Sequence, residues 1–264
     1  MLKTSNIWVD GWKHAIRGMR NPMNSWDKSD SDFGCYTKED INNASKTPYL
    51  CKNCDVAYCD KKNKDFLIGP NDAALMYKLC TAGSDHRKFM RQIFVSMDII
   101  APLYWWKEFS TYKIGTVANS CSTMHTIVAK PFVKEDFSYE HLCKVNDVLM
   151  TDFNEFIGID NKEHNSPYRA LNDIIEELNQ WRDFYIYYKN RPTEDIEKHN
   201  ENLKTIWWQL IQLLPSSYNQ KRTVTLNYEV LNTIYAARKN HKLDEWREFC
   251  SVISTFPMSS LITH

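Results

Sequence analysis

The stretch Ala101 to His125 gathers Thr111, Tyr112, Lys113, Thr116, Asn119, Ser120, Ser122, Thr123 and His125 into fifteen residues, with Gly115 and Cys121 among them. Small hydroxyls, an amide, a lysine and a glycine in one loop suit close backbone approach to a ligand that presents phosphate or carbonyl oxygens. The same composition also suits a polar surface loop. A second group is Cys35, Cys51, Cys54 and Cys59, spaced C-x15-C-x2-C-x4-C. Two thiolates two residues apart can grip one tetrahedral metal from a tight turn, and the other two would complete a closed, structural zinc site. Unliganded cysteines in an inserted loop are the alternative. His86 stands alone beside Arg87 and Lys88, and a lone histidine is more often structural than a ligand contact.

These groups need a folded frame, and the composition supplies one. The 264 residues are enough for a sizeable core, and 33 Lys and Arg against 33 Asp and Glu leave no net charge. Such a chain lacks the global field that recruits nucleic acid or an anionic membrane. No apolar run reaches membrane-spanning length, and Met1 to Asp10 lacks the apolar core of a signal peptide. Reduced thiols in a cytoplasmic protein are therefore expected.

Ile7 to Arg20 reads as a strand followed by a short helix, ended by the turn at Asn21 and Pro22. Asp27 to Asp32 reads as a solvated loop. Asn71 or Asp72 caps a helix with Ala74, Leu75, Leu79 and Cys80 inward, ending at Gly83. Ile93 to Ile100 alternates as a strand with Phe94, Ser96 and Asp98 on one face. After Pro102, Leu103 to Phe109 makes a short helix burying Leu103, Trp106 and Phe109. Helices are expected over Tyr139 to Phe156, Tyr168 to Lys189 and Glu194 to Leu214, the last two joined by a turn at Asn190 to Thr193. Their Trp and Tyr stripes read as core or oligomer packing. Thr223 to Asn227 is a short strand, followed by a helix to about Asn240 and another over Leu243 to Thr255.

The segment from Leu213 to Trp246 resembles the flavin-dependent thymidylate synthases. That family ends in a Leu-Pro turn, a tyrosine and a polar residue, a strand into asparagine, then a helix carrying arginine ahead of a tryptophan. Leu214, Pro215, Tyr218, Asn219, Asn227, Leu231, Arg238 and Trp246 fill those places in order. In the other half, Ala101-Pro102 precedes a helix and then the place of the family's Arg-His-Arg-x-x-Ser signature. That signature is heavily altered: Thr111, Tyr112 and Lys113 stand for Arg-His-Arg, Thr116 for the serine, Asn119 for an asparagine and Ser120 for a glutamate. Ser122 keeps a later serine, while Met124 and His125 replace Arg and Tyr.

The resemblance implies a mixed α/β fold with a helical bundle segment, one domain over 1–264 interrupted by a cysteine-containing insertion at about 27–66. It implies a homotetramer whose sites lie between subunits. It also implies an enzyme that uses FAD, NADPH and a folate donor to methylate a pyrimidine deoxynucleotide such as dUMP at C5. Arg238 would be the catalytic cation at a pyrimidine carbonyl. Glu108, Lys113, Ser122, Lys221 and Arg222 would meet the nucleotide, and His86, Thr116, Asn119, Asn227 and His241 the flavin. A catalytically inactive relative that binds or sequesters a nucleotide is the alternative that the lost arginines leave open.

Overall fold

The computed structural model describes residues 2–34, 65–158 and 166–264. Its main sheet has four strands in the order β1 (Lys3–Asp10), β4 (Phe94–Pro102), β6 (Asn219–Asn227) and β5 (Thr116–Ser120). The sheet is antiparallel. A two-residue-period pattern explains β4: Val95, Met97, Ile99 and Ala101 are buried on one face, while Phe94 and Ser96 stand on the other. Ser96 Oγ pairs with Thr225 Oγ1 at 2.8 Å across the strands, and the buried Asp98 carboxylate accepts from Thr223 Oγ1 at 2.6 Å and Asn6 Nδ2 at 2.8 Å. A separate hairpin pairs β2 (Asp32–Gly34) with β3 (Asp65–Leu67).

The helices are α1 (Trp12–Arg20), α2 (Pro70–Thr81), α3 (Leu103–Phe109), α4 (Thr123–Thr126), α5 (Val148–Phe156), α6 (Pro167–Lys189), α7 (Ile196–Leu213), α8 (Tyr228–Arg238), α9 (Asp244–Ile253) and α10 (Ser260–Thr263). Contacts divide the chain into two compact units: Met1–Lys3, Ile99–Thr111 and Asn119–Arg222 form one, and Thr4–Asp98, Tyr112–Ala118 and Thr223–His264 the other.

The first unit is built on the α6–α7 hairpin. Leu171, Leu178 and Leu210 meet Ile127, Phe132 and Phe137 in one buried apolar cluster. Ser166 Oγ caps α6 by accepting from Arg169 N, with Pro167 at the first helical position, and Asp195 caps α7 by accepting from Lys198 N. The Asn179 amide clamps the backbone of Phe132 twice, accepting from its N–H at 2.7 Å and donating to its carbonyl at 2.9 Å. The expected helix over Tyr139 to Phe156 is helical only from Val148. Ahead of it, Glu140 and Asp147 accept hydrogen bonds from the nearby amides of Tyr139 and Lys144, which offers the backbone a turn in place of a helix. In α3 the buried side chains are Trp105, Trp106 and Phe109, while Leu103 is only partly covered.

The second unit packs α1, α2, α8, α9 and α10 around Met76, Leu231, Trp246 and Phe249. Trp12 meets Tyr228 edge-on at 5.3 Å, and the Tyr228 hydroxyl donates to the Pro257 carbonyl at 2.5 Å. Burial raises the pKa of that phenol. Asp72 is fully buried inside α2 and does not cap it. The cap comes from Asp30, whose carboxylate accepts from Asn71 N at 2.8 Å and Asp72 N at 3.0 Å. Asp72 instead takes Arg20 Nε at 2.6 Å and the hydroxyls of Ser29 at 2.7 Å and Ser31 at 2.6 Å. Ser29 to Ser31 thus serve a buried charge and are not a freely solvated loop. The inward face of α2 follows that anchor, running through Asp72, Met76 and Cys80 and leaving Ala74 exposed.

The polar stretch expected as one loop after Gly115 is strand β5 followed by the short α4. Strand β6 begins four residues before the expected Thr223, at Asn219. No helix among the described residues is long and apolar enough to cross a membrane.

Candidate functional site

Helix α8 begins because Asn227 Oδ1 accepts from Val230 N at 3.0 Å, an N-cap that fixes where the helix starts. Eleven residues after that cap Arg238 closes the same helix, where a cation also offsets the C-terminal end of the macrodipole. Its guanidinium is held on three sides within the second unit. Nε donates to the Tyr112 hydroxyl at 2.9 Å, and Nη1 lies 2.8 Å from His241 Nε2. Guanidinium nitrogens only donate, so this contact uses Nε2 as the acceptor in the tautomer protonated at Nδ1, and it competes with the Leu243 N–H, 3.2 Å from Nδ1, for the ring's one acceptor nitrogen. The guanidinium carbon stands 4.6 Å from the ring centre of the fully buried Trp246 and 5.8 Å from that of Tyr112. The two rings meet edge-on at 5.9 Å. A cation stacked on the Trp246 face and hydrogen-bonded to the Tyr112 hydroxyl keeps its charge while losing most of its freedom to turn. The cation is also felt at Cys250: burial pushes that thiol up to about 11, and Arg238 pulls in the opposite direction.

Gly115 adopts φ +78°, and a Cβ there would come within 2.8 Å of Asn227 Nδ2. Only glycine lets the segment pass so close to the cap. The next residue, Thr116, has a buried Oγ1 with no hydrogen-bond partner among the described residues. An unpaired buried hydroxyl costs desolvation free energy, so it is a place where a bound polar group would be favoured. Lys113 and His86 are exposed, and Arg87 beside His86 pairs with Glu229 at 3.1 Å.

A second constellation lies in the first unit. The Arg222 guanidinium stacks 4.3 Å from the ring centre of Trp106, and its Nε donates to Gln220 Oε1 at 2.9 Å. The Trp106 indole N–H donates to the Gln220 carbonyl at 2.9 Å. Gln220 Nε2 reaches the Cys121 carbonyl and Thr123 Oγ1, each at 3.1 Å. Burial lowers the Arg222 pKa from its ordinary value. Lys221 and Asn119 are exposed, and Ser122 and Glu108 are half-buried.

The structure therefore brings Arg238 together with His241, and Thr116 close to Asn227 through Gly115, within one unit. Arg222, Lys221, Asn119, Ser122 and Glu108 belong to the other. Asn227 is occupied through its oxygen by the helix cap. Tyr112, Trp246, Trp106 and Gln220 are not among the site residues expected from the sequence. Tyr112 carried a signal, since it replaces a signature residue with another hydrogen-bonding ring. Cys35, Cys51, Cys54 and Cys59 lie outside the described residues. Among the described ones, no group of three or more His, Cys, Asp or Glu could hold a metal.

No family model matches the chain, and no curated protein matches it in sequence. Its fold is nevertheless shared. The flavin-dependent thymidylate synthase ThyX from Helicobacter pylori, solved in complex with FAD and dUMP, superposes at a TM-score of 0.54 with 12% identity, covering 98% of each chain. A second structure of that enzyme with FAD and dUMP gives 0.54 with 13% identity, over 100% of this chain and 97% of the other. At such identities the likeness is one of fold.

Proposed function

We propose that the chain is a flavin-dependent thymidylate synthase-like enzyme that modifies a pyrimidine deoxynucleotide such as dUMP at C5 by one-carbon transfer. The observation that carries this reading is the caged Arg238, held by Tyr112, His241 and Trp246. Support comes from the fold shared with enzymes solved with FAD and dUMP. A cation fixed in a partly buried setting stabilises negative charge as it builds on a ring oxygen, and it needs no reorganisation at the moment of reaction.

When bound, FAD would supply the hydride and one-carbon chemistry, with NADPH and a folate as co-reactants. The unpaired Thr116 Oγ1 and the close approach at Gly115 fit a polar ligand there. Thr116, with Asn119, Asn227, His86 and His241, is assigned to hold the flavin. For Asn227 the amide nitrogen is the group assigned, because its oxygen is the helix cap. Lys113, Lys221 and Arg222, with Ser122 and Glu108, are assigned to the nucleotide's phosphate and sugar. In the homotetramer that the reading implies, each site takes residues from more than one copy. Cys80, Cys121, Cys143 and Cys250 are free thiols, which suits a cytoplasmic protein. Structural zinc on Cys35, Cys51, Cys54 and Cys59 remains part of the proposal, tested by metal analysis of Cys51→Ser.

The test is the visible spectrum of purified protein with added FAD, followed by turnover of dUMP in Arg238→Ala. Flavin binding with a turnover loss of about 10² to 10³ is expected, the scale for removing one charge-stabilising donor. Unchanged turnover in a folded Arg238→Ala protein would falsify the assignment. The second reading, a nucleotide-binding relative without catalysis, is favoured by one observation: Thr111, Tyr112 and Lys113 stand in the places of the signature's Arg-His-Arg, so both of its arginines are lost. It expects stoichiometric nucleotide binding with no flavin reduction.

A further inference from the structure

We propose that Cys80, Met90 and His264 form a binding site for a soft monovalent metal ion, copper(I), which pins the end of α10 to α2. Three stretches far apart in sequence bring these donors together within the second unit. The inward face of α2 delivers Cys80, one turn on from Met76. Met90 is fully buried in the 3₁₀ turn Arg87–Gln92. His264 follows α10, which is anchored by the buried Leu261 and Ile262 and by the bond from Asn232 Nδ2 to the Ile262 carbonyl at 2.8 Å.

The Cys80 sulfur lies 3.4 Å from Met90 Sδ and 3.6 Å from both Nδ1 and Nε2 of His264, with the Leu261 carbonyl at 3.1 Å. One S–H proton cannot serve all of these acceptors, and a neutral imidazole carries only one N–H. Lone pairs therefore outnumber protons at this spot, a condition that a cation relieves. Metal–sulfur and metal–nitrogen bonds of about 2.3 and 2.0 Å put neighbouring donors of one ion roughly 3.5–4 Å apart. The pairs here fall at or just inside that range.

The donor set selects the ion. Thiolate and thioether are soft ligands that favour copper(I), whereas zinc sites use thiolate, imidazole and carboxylate. On binding, the thiol loses its proton to water, so a single thiolate charge neutralises a single positive charge. A divalent ion would leave one unit of charge uncompensated in an interior site. Arg87 and Glu229, whose charges are felt at Cys80, pair with each other at 3.1 Å and supply no such compensation. His264 is exposed and gives the ion a way in.

Carbon-13 methyl NMR of the methionine-labelled full chain, kept anaerobic, tests this with copper(I) as the probe. Met90→Leu, a volume-conserving change, assigns the Met90 signal. Copper(I) is added beyond one equivalent for each of the eight cysteines, so that no other thiol starves the site. The expected result is a shift of the Met90 methyl signal in the wild type and loss of that shift in Cys80→Ser. His264→Ala, at the exposed end, should need more copper to reach the same shift, and it serves where Cys80→Ser fails to fold. An unmoved Met90 signal in the wild type overturns the proposal. A shift that persists in Cys80→Ser overturns it equally, since copper would then act from elsewhere, and so does an identical titration in His264→Ala. None of these readouts involves flavin or turnover, so failure of the enzyme reading and failure of the metal site are separately visible.

Discussion

In the unit that carries Arg238, charge is taken into the interior. Arg20, Asp72, Asp98 and Glu245 are all buried there, and Asn227 and Asn232 with them. In the unit built on α6 and α7 the interior cluster is apolar throughout, and the buried polar side chains among the described residues are Asn154 and Ser166. Apolar packing is tolerant of direction, whereas a buried ion pair holds only in one geometry, because a misaligned charge without solvent is costly. Arg20 and Asp72 join α1 to α2 across 52 residues of sequence, and Asn232 Nδ2 donates to the Ile262 carbonyl at 2.8 Å to tie α8 to α10. The unit that holds the caged cation is thus the one whose frame is specified by polar contacts.

The contrast breaks most visibly at Asp72. Replacing it with alanine leaves Arg20 buried without its partner, and a loss of about 3–5 kcal/mol in denaturant unfolding is expected. A loss below 1 kcal/mol would mean that the ion pair does not specify this frame. Its titration sharpens the point. Burial pushes the Asp72 carboxyl up, but hydrogen bonds from Ser31, Ser29 and Arg20 outweigh it, so its pKa lies below the ordinary carboxylate value of 3.8. The stabilisation is therefore full above that value and is lost as pH falls through the lower, folded-state value. Acid titration of Asp72→Asn should lack that low-pH loss, and an identical acid limb would contradict the assignment.

In the other unit, Leu178→Ala should cost about 2–5 kcal/mol by leaving a cavity in the α6–α7 cluster. Its stability should show no new pH dependence, since the buried residues of that cluster are apolar. Next in size is Asn227→Ala, expected to lose about 1 kcal/mol with the α8 cap. Asn227→Ser keeps a capping oxygen, so it should retain the thermal midpoint. If it also retains full flavin affinity, the amide's assignment to the cofactor is wrong. The smallest effect is expected for Arg222→Met, about 0.5–1 kcal/mol from the lost cation–π contact with Trp106. A larger loss in thermal unfolding would show that Arg222 does for its unit what Arg20 does for the other.

Much of the helical frame was legible. Period-three-and-four spacing locates α6, α7, α8 and α9 within a few residues, because each buries one apolar face and carries local start and stop signals. Strand β4 follows from its alternation. Other elements escaped for identifiable reasons. Strand β5 has four of its five residues exposed, so it lacks the alternation by which a half-buried strand is read. The false start of the helix at Tyr139 arose because apolar spacing does not register the competition of Glu140 and Asp147 for nearby amides. Asp72 looks like a helix cap in sequence, since Asp near a helix start usually is one. Its burial depends on Arg20, Ser29 and Ser31, none of which is local to it.

The chain's own sequence determined the local order of this group: an arginine at the end of a helix, a histidine three residues on, and a tryptophan opening the next helix are set by local spacing. The mixed α/β architecture was equally present in its pattern and in the order of its segments. Only the tertiary structure decided that Tyr112, 126 residues away, spends its hydroxyl on Arg238. It alone decided that Asn227 is consumed by a cap and that Arg222 stacks on Trp106. Spacing along a helix is fixed by its 3.6-residue turn, but a hydrogen bond between distant segments depends on how whole elements pack, and no local pattern encodes that.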